Sequence, residues 1–524
     1  RCMARETVII IGGGLGGLFC GAILGKEGYR VKLFEQHRVI GGGLHEFRRG
    51  GVSFETGMHV VGAFQPDGVL NRLCSYLGIM DDLALLPEDE DCFELFHVAS
   101  DGKRYKMPRG ADRFVETLAA EFPAERENIR RYVDALYALC DEVELYNLRF
   151  DPSREHADDP VESVGEFIDS FTGDERLRRV LAFCNPLYAG DRYKTPAYIH
   201  ALVSKLYIEG ASRFIGGSQQ LADALVGVIT RSGGEIHAGN GVTHVEIADK
   251  AIDHVVTADG TQHRADRYIS SIHPSSLFDL LDRSKLQRSY WQRIDSIPVT
   301  YSAFTLYLLF KPGTFPFFNY TYYYMDDYEE TWTQDVYTGE SWPRGLMCIT
   351  PPVTGRDVFA EKMIVNCIMN FETVKRWENT TTGRRGEEYE AFKRRCERRV
   401  VERLEEIFPG IRACIESLDS ATPLTIRDYY KQKEGALYGM KKDCRNMALS
   451  RILPRTKLSN LLLTGQNINL HGILGVPLTA VITCAELVGM EYLLNKINNN
   501  SLNTRHEIKI DLSPVGKVEG TNHF

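Results

Sequence analysis

The stretch Thr7-Val-Ile-Ile-Ile-Gly-Gly-Gly-Leu-Gly-Gly17 determines the fold class. Its first five residues are apolar and mostly β-branched, which is typical of a parallel strand buried on both faces. The glycines then follow the spacing Gly-x-Gly-x-x-Gly, and an apolar segment with helical spacing, Leu18–Leu24, comes next. Gly12 permits a tight turn, Gly14 lets the backbone approach a pyrophosphate, and Gly17 lets helix and strand pack closely. The stretch predicts a phosphate-binding turn in which the helix N-terminus faces the phosphates.

A second strand, Arg30–Glu35, completes a βαβ unit and ends in an acidic residue. Glu35 stands where dinucleotide-binding folds place the carboxylate that accepts hydrogen bonds from ribose hydroxyls. A glycine motif alone is a weak signal, because turns also use glycine. The preceding strand, the following helix and Glu35 together favour dinucleotide binding over a purely structural turn.

Further glycine clusters indicate which dinucleotide to expect. Gly41-Gly-Gly43 lies six residues after Glu35 and is followed by Gly57-Met58-His59, while Gly465 and Gly472-Ile-Leu-Gly475-Val476 lie far downstream. A second phosphate loop with a distant strand–Gly–helix segment is the layout of FAD proteins of the glutathione-reductase type. A helix starting near Val476 can aim N–H groups at the pyrimidine end of a flavin. No second Gly-x-Gly-x-x-Gly follows, so we expect no dedicated NAD(P)H domain and an external electron donor or acceptor.

The remaining segments have a different character. The pattern from about residue 112 to 212 is helical and amphipathic, and Tyr301–Cys367 is aromatic and alternating, which suggests a second sheet. We therefore predict an α/β protein: a glutathione-reductase-type FAD-binding Rossmann domain with an inserted α+β substrate domain. The predicted segments are 1–75, 210–285 and 455–494 for the FAD-binding domain, 76–209 and 286–454 for the substrate or cap domain, and 495–524 for a polar tail with little structure.

Composition excludes several classes of protein. Of the 524 residues, 43% are hydrophobic and 25% charged, which is ordinary for a globular enzyme, and the net charge of −9 argues against general nucleic-acid binding. The twelve cysteines form no Cys-x-x-Cys pair or Cys/His cluster, so we expect no metal and a reduced, cytoplasmic protein. Ile473–Leu494 contains Pro477, Glu486 and Glu491, which indicates a buried helix rather than a membrane span. The sequence is compatible with a peripheral membrane contact.

Three segments also resemble a known family. Glu35-Gln-His-Arg-Val-Ile-Gly-Gly-Gly-Leu-His-Glu-Phe47, Phe54-Glu-Thr-Gly-Met-His-Val-Val-Gly62 and Leu463-Thr-Gly-Gln-Asn-Ile-Asn-Leu-His-Gly-Ile-Leu-Gly-Val476 are similar to blocks of retinol saturases and carotenoid isomerases. These proteins belong to the wider phytoene-desaturase and amine-oxidase superfamily. The resemblance implies a flavoprotein that acts on a carbon–carbon bond of a hydrophobic, often polyene, lipid. Saturases usually carry Cys-Cys and then His-Thr after the Gly-Gly doublet, whereas this chain has Gly43-Leu44 and His45-Glu46. The electron-transfer role suspected for that cysteine pair is therefore not carried over.

The resemblance also assigns roles by position. It implies that the first glycine motif holds the pyrophosphate, Glu35 the adenosine ribose and Gly42-Gly43 the ribityl–phosphate region. It implies a backbone contact from Val242 to adenine, and a flavin lined by the Gly465 and Val476 segments. The full set of predicted cofactor-binding residues is Gly12, Gly14, Leu15, Gly16, Gly17, Glu35, Gly42, Gly43, Met58, Val242, Gly465, Gln466, Gly475 and Val476.

His59 and His471 are the candidate catalytic residues. An imidazole with a pKa near neutrality can donate the proton that completes reduction of a double bond. Each histidine could instead hydrogen-bond to backbone or cofactor without titrating. The aromatic run Phe315-Pro-Phe-Phe-Asn-Tyr-Thr-Tyr-Tyr-Tyr324 could line a lipid tunnel, but plain strand packing needs no ligand and is the favoured interpretation.

The working hypothesis is hydride transfer between flavin N5 and one carbon of a C=C or CH–CH unit, with a proton moving at the neighbouring carbon. Motif similarity favours reduction, as in a saturase. A phytoene-desaturase-like dehydrogenase and a redox-neutral carotenoid isomerase are alternatives that use the same flavin site. An amine oxidase, or a non-catalytic flavin-bound lipid-binding protein, are further alternatives.

Overall fold

The computed structural model describes residues 6–151 and 161–503, which contain twenty strands. In chain order the strands are β1 (Thr7–Ile11), β2 (Arg30–Glu35), β3 (Glu46–Arg49), β4 (Val52–Glu55), β5 (Val61–Gly62), β6 (Leu85–Pro87), β7 (Glu94–Val98), β8 (Lys103–Met107), β9 (Ala211–Phe214), β10 (Glu235–Ala238), β11 (Val242–Ala248), β12 (Ala251–Thr257), β13 (Gln262–His263), β14 (Arg267–Ser270), β15 (Ser302–Phe310), β16 (Thr321–Met325), β17 (Gly345–Ile349), β18 (Lys362–Met369), β19 (Ile415–Ala421) and β20 (Leu461–Leu463).

Seventeen α-helices lie in the same described ranges. They are α1 (Leu15–Lys26), α2 (Val69–Leu77), α3 (Ala111–Glu121), α4 (Arg126–Glu142), α5 (Val164–Asp169), α6 (Glu175–Leu181), α7 (Ala197–Gly210), α8 (Gln219–Arg231), α9 (Pro274–Asp279), α10 (Arg288–Asp295), α11 (Glu330–Thr333), α12 (Glu387–Ile407), α13 (Ile411–Cys414), α14 (Pro423–Tyr430), α15 (Met447–Ser450), α16 (Gly472–Val488) and α17 (Met490–Asn503).

A five-stranded parallel sheet in the order β10-β2-β1-β14-β20 confirms the predicted Rossmann architecture. The central strand β1 is buried on both faces, as its apolar sequence requires, because α1, α8 and α16 cover one face and side chains of β11 and β12 pack against the other. All five strands come from the three segments predicted to bind FAD. The carboxyl ends of β1, β2, β14 and β20 therefore meet at one edge of the sheet.

A second, seven-stranded sheet has the order β19-β15-β18-β17-β16-β7-β8. Its pairs are antiparallel except for β16 with β7, which run parallel. The aromatic segment Tyr301–Cys367 contributes the middle of this sheet, as expected. Helices α3 to α7 fill the helical segment predicted between residues 112 and 212, and α12 covers the sheet with an apolar face formed by Cys396, Val400 and Leu404.

The C-terminal region differs from its prediction in two respects. The apolar stretch Ile473–Leu494 forms parts of two helices, because Gly489 adopts φ 92° and ends α16. The helix α17 then continues to Asn503, so residues 495–503 of the expected tail are helical. Leu493 and Ile497, four residues apart, are fully buried on the face of α17 that packs against α2. Residues 504–524 lie outside the described residues.

A membrane span was not expected from the sequence. Within residues 6–151 and 161–503, none of the helices combines the length and the apolar character needed to cross a bilayer.

Candidate active site

A cavity of about 770 Å³ lies between the carboxyl edge of the parallel sheet and the inner face of the seven-stranded sheet. One end is lined by the turns after β1, β2, β14 and β20, and the other by inward-facing side chains of β15 to β18. Clefts at this edge of an open parallel sheet are the usual ligand sites of doubly wound folds. The predicted residues that line this cavity are Gly12, Gly14, Leu15, Gly16, Glu35, Gly42, Gly43, Met58, His59, Gly465, Gln466, His471, Gly475 and Val476.

Three glycine turns converge at the end of the cavity beside the parallel sheet, and we call them the glycine cradle: Gly12–Gly17, Gly41–Gly43 and Gly465. The Gly41 N–H donates to the Gly13 carbonyl at 2.9 Å. A Cβ added to Gly42 would lie 3.0 Å from the Gly14 Cα, and one added to Gly16 would lie 3.2 Å from the Gly465 Cα. Side chains at these positions would fill the cradle, so the glycines keep the backbones in mutual contact.

The cradle offers free donors to an anion. The first helical hydrogen bond of α1 runs from the Leu18 N–H to the Gly14 carbonyl at 3.0 Å. The N–H groups of Leu15–Gly17 therefore have no acceptor within the helix, and they lie at the positive end of its dipole. An added Cβ at Gly14 would meet its nearest protein atom only at 4.0 Å, and one at Gly43 would meet none within that distance. This space suits the pyrophosphate of a dinucleotide.

Glu35 occupies the position expected of a ribose-binding carboxylate. Its two oxygens accept the N–H groups of Gly13 at 2.7 Å and His37 at 2.8 Å, and only 8% of the residue is exposed. A carboxylate has about four lone-pair positions, so each oxygen can accept one further bond from a hydroxyl that enters the cavity. Glu35 is thereby tied to the glycine turn and keeps acceptor capacity at the cavity wall.

Gly17 and Val242 do not line the cavity. A Cβ on Gly17 would lie 2.1 Å from the Gly12 carbonyl oxygen, so this glycine serves the contact between helix and turn. Val242 starts β11 and is partly buried against the core beneath the sheet, and its expected backbone contact with adenine stays a prediction. The loop before it is the part tied to the cofactor end, because the Asn240 N–H donates to the Glu35 carbonyl at 2.9 Å.

His59 lies on the cavity wall just after β4. Its side chain is 8% exposed, and Nδ1 lies 3.3 Å from Oε2 of Glu55. Burial raises the pKa of Glu55, although hydrogen bonding to His59 opposes that shift. The two groups therefore form a buried pair that can hold a proton beside the cavity.

His471 has a different environment. It precedes the first turn of α16, its ring centroid lies 4.8 Å from that of Tyr438 with the planes tilted by 50°, and Nε2 lies 3.0 Å from the Leu187 carbonyl oxygen. A carbonyl only accepts, so Nε2 carries the proton and Nδ1 is the acceptor. Burial lowers the pKa of His471 to about 4. The imidazole is neutral at physiological pH, which disagrees with the expectation of a proton donor with a near-neutral pKa.

The sequence reasoning missed the polar residues on the sheet side of the cavity. Glu94 on β7, Asn366 on β18 and Gln334 after α11 all line it, as does Tyr207 from α7. None of them belongs to a motif. Within the aromatic run, the inward Tyr323 lines the cavity, while Tyr322 and Tyr324 pack in the core on the opposite face of the sheet.

A family comparison agrees with this geometry. Residues 15–346 match the model of the flavin containing amine oxidoreductases. The chain belongs to this family. It is accordingly a flavin-dependent oxidoreductase, and the glycine cradle is the part of the chain whose residues fit the nucleotide portion of such a cofactor.

Similar proteins come from distant organisms. Human all-trans-retinol 13,14-reductase is 24% identical over 94% of this chain and 87% of its own length. Prolycopene isomerase 1 of an Oncidium hybrid cultivar is 23% identical over 93% of this chain and 84% of its own. The crystal structure of an oxidoreductase from Methanosarcina mazei superimposes with a TM-score of 0.60 at 18% identity, covering 90% of this chain and 98% of that one. This structural similarity supports the fold and carries no information about the substrate.

Proposed function

We propose that the chain is an FAD-dependent reductase of carbon–carbon double bonds in a hydrophobic polyene lipid, with an activity like that of all-trans-retinol 13,14-reductase. The observation that carries the proposal is the continuity of the cavity. The glycine cradle opens directly into a space walled by Leu202, Leu206, Met347 and Ile368. A lipid in that space would share one enclosed volume with the cofactor.

We assign the flavin cofactor as the dinucleotide FAD. A pyrophosphate at Leu15–Gly17 and a ribose at Glu35 call for a dinucleotide, and a mononucleotide would leave this end of the cavity unused. When bound, FAD supplies a hydride donor or acceptor at its ring system. The residues of the chain hold it, exclude water and handle the proton.

We assign these tasks to three parts of the cavity. The cradle and Glu35 would bind the nucleotide, while Gln466, Gly475 and Val476 lie where the start of α16 directs N–H groups and a helix dipole at the cavity. Apolar side chains on α7 and the large sheet exclude water from the polyene. His59, held by Glu55, is the better placed of the two histidines to supply a proton at the carbon next to the site of hydride transfer. Electrons would come from an external donor, because the chain carries no second dinucleotide motif.

Isomerisation of a polyene without net reduction is the second candidate. The alignment with prolycopene isomerase extends over 93% of this chain, nearly as far as that with the reductase. Both reactions need the same cradle and the same apolar volume. They differ in whether the product gains hydrogen.

The test begins with the purified protein. We expect a yellow protein whose extracted cofactor is FAD rather than FMN. Under anaerobic conditions, reduced protein mixed with all-trans-retinol should be reoxidised as the polyene loses long-wavelength absorption and gains two hydrogens by mass. A spectral change without a mass change would indicate isomerisation. Peroxide released with amines would indicate an amine oxidase, and stoichiometric binding without turnover a lipid-binding protein. A colourless protein that FAD cannot reconstitute would contradict the proposal outright.

A further inference from the structure

An unpartnered carboxyl group lies in the wall of the cavity on its sheet side. Glu94, the first residue of β7, is 2% exposed and lines the cavity, and its Oε2 has no hydrogen-bond partner. Buried polar atoms without partners are uncommon, because each costs about 1–3 kcal/mol of desolvation. One that faces an enclosed cavity is best explained by a ligand that completes its hydrogen bonding.

The register of the sheet sets the surroundings of Glu94. Its parallel partner on β16 is Thr321, and Tyr323 follows two residues later on the same face. Tyr323 is also 2% exposed, lines the cavity and has an unpartnered Oη. The alternate residues Leu95 and Tyr322 face the opposite side and pack in its core. The inner face therefore presents two unsatisfied oxygens among apolar side chains.

Glu94 is influenced by its own burial and by a second buried acid, Glu88. Glu88 is paired with Arg213, since Nε of Arg213 lies 2.9 Å from Oε1 of Glu88 and both side chains are 1% exposed. Burial and the Glu88 carboxyl both raise the pKa of Glu94 well above its usual range. Both effects favour the carboxylic acid form, which has one O–H donor and a carbonyl acceptor.

We propose that Glu94 is the residue that recognises a terminal hydroxyl group on the lipid substrate and so fixes which double bond lies at the flavin. The inference rests on the proposed function, since it assumes that the cavity holds a polyene lipid. An alcohol offers one donor and one acceptor, which match the two halves of a carboxylic acid. A pure hydrocarbon leaves Oε2 unpartnered, and an anionic end group would lie beside two carboxyls. The substrate class is thus a polyene alcohol.

The test compares binding of three probes to the flavin-loaded protein, followed by the change in flavin absorption. The probes are all-trans-retinol, the hydrocarbon in which CH3 replaces its CH2OH group, and the corresponding primary amine. We compare the ratio of alcohol affinity to hydrocarbon affinity between variants, because the difference in water solubility of the two probes cancels in this comparison. Glu94→Leu should lower this ratio about tenfold, the effect of losing one net hydrogen bond. Glu94→Gln should leave it within about twofold, because an amide also donates and accepts.

Glu330→Gln is the matched control. Glu330 is fully buried and paired with Arg344 but does not line the cavity, so this variant should leave both affinities unchanged. An unchanged ratio in Glu94→Leu would overturn the inference. The inference would also be overturned if the amine bound most tightly of the three probes and Glu94→Gln abolished that binding, because this result would indicate recognition of an ammonium group. If Glu94→Leu fails to retain flavin, Glu94→Met gives the same comparison with a more adaptable side chain. Failure of the wild-type protein to bind either polyene would instead contradict the proposed function itself.

Discussion

Alanine substitutions at Gly14 and Gly17 separate cofactor binding from folding. The two glycines lie in the same turn, and each substitution adds one methyl group. A Cβ at Gly14 meets its nearest protein atom at 4.0 Å, and its φ of −76° suits alanine. A Cβ at Gly17 meets the Gly12 carbonyl oxygen at 2.1 Å and Oγ of Ser271 at 2.9 Å. The first methyl group would enter the space for phosphate, and the second would enter the contact between α1 and the turn.

The magnitudes follow from these distances. In Gly17→Ala the obstacle is backbone, so α1 must shift by about 1 Å, and we expect a loss of about 3 kcal/mol in the free energy of unfolding. Gly14→Ala places alanine at a helix N-cap in an allowed conformation, which costs less than about 1 kcal/mol. Its methyl group displaces the pyrophosphate from the N–H groups of α1. Losing one or two charge-assisted hydrogen bonds, about 3 kcal/mol, weakens FAD binding about a hundredfold.

The assay uses the flavin-free protein. Denaturant unfolding gives the stability of each variant, and titration with FAD, followed by flavin fluorescence, gives the affinity. We expect Gly14→Ala to unfold like the wild type but to bind FAD weakly, and Gly17→Ala to unfold early. Wild-type FAD affinity in Gly14→Ala would refute the placement of the pyrophosphate. Wild-type stability in Gly17→Ala would refute the close contact between helix and turn.

Three further predictions concern buried polar groups. Glu35→Ala removes the acceptor of two backbone N–H groups and should cost about 2 kcal/mol of stability as well as FAD affinity, whereas Glu35→Gln should lose less; unfolding and FAD titration report both. Burial raises the pKa of Glu88 to about 7, so its proton stabilises the folded state below pH 4.5, and about 3 kcal/mol is lost as pH rises to 7. When the free energy of unfolding is measured against pH, its decline between pH 4.5 and 7 should be shallower in Glu88→Gln than in the wild type. An identical slope would contradict the raised pKa of Glu88. His471→Gln keeps a donor for the Leu187 carbonyl and should retain flavin, whereas His471→Phe should lose flavin content on purification.

The convergence of the glycine turns at one end of the cavity could be predicted because its signals are local. The strand, the glycine spacing and Glu35 lie within thirty residues, and each has a stereochemical reason that holds in any βαβ unit. The distant Gly465 segment was assigned by its strand–Gly–helix layout and by its resemblance to a known family, and the structure brings it within contact distance of Gly16. Parallel strands direct their carboxyl ends to one edge, so a correct strand assignment already brings these turns together.

The substrate end could not be predicted for a physical reason. Whether Glu94 faces the cavity or the opposite core depends on the parity of β7 and on its pairing with β16, more than 220 residues away. A shift of one residue in register would exchange the two faces. The same rule divides the aromatic run, in which Tyr323 and Tyr322 face opposite sides of the sheet.

The two ends of the cavity differ in what they constrain: the cradle constrains the proposed cofactor, and the large sheet constrains the proposed substrate. The cradle glycines fit the proposed nucleotide, because side chains at Gly16 and Gly42 would close the contacts between the turns. The large sheet presents single side chains at fixed spacing, and one of them, Glu94, has its pKa raised by burial and by the Glu88 carboxyl. A cation placed beside Glu94 would favour its carboxylate form, which only accepts hydrogen bonds and suits an ammonium group better than an alcohol or an anion. Substrate preference on this scaffold therefore depends on the charge balance behind the sheet as much as on the residues that line the cavity.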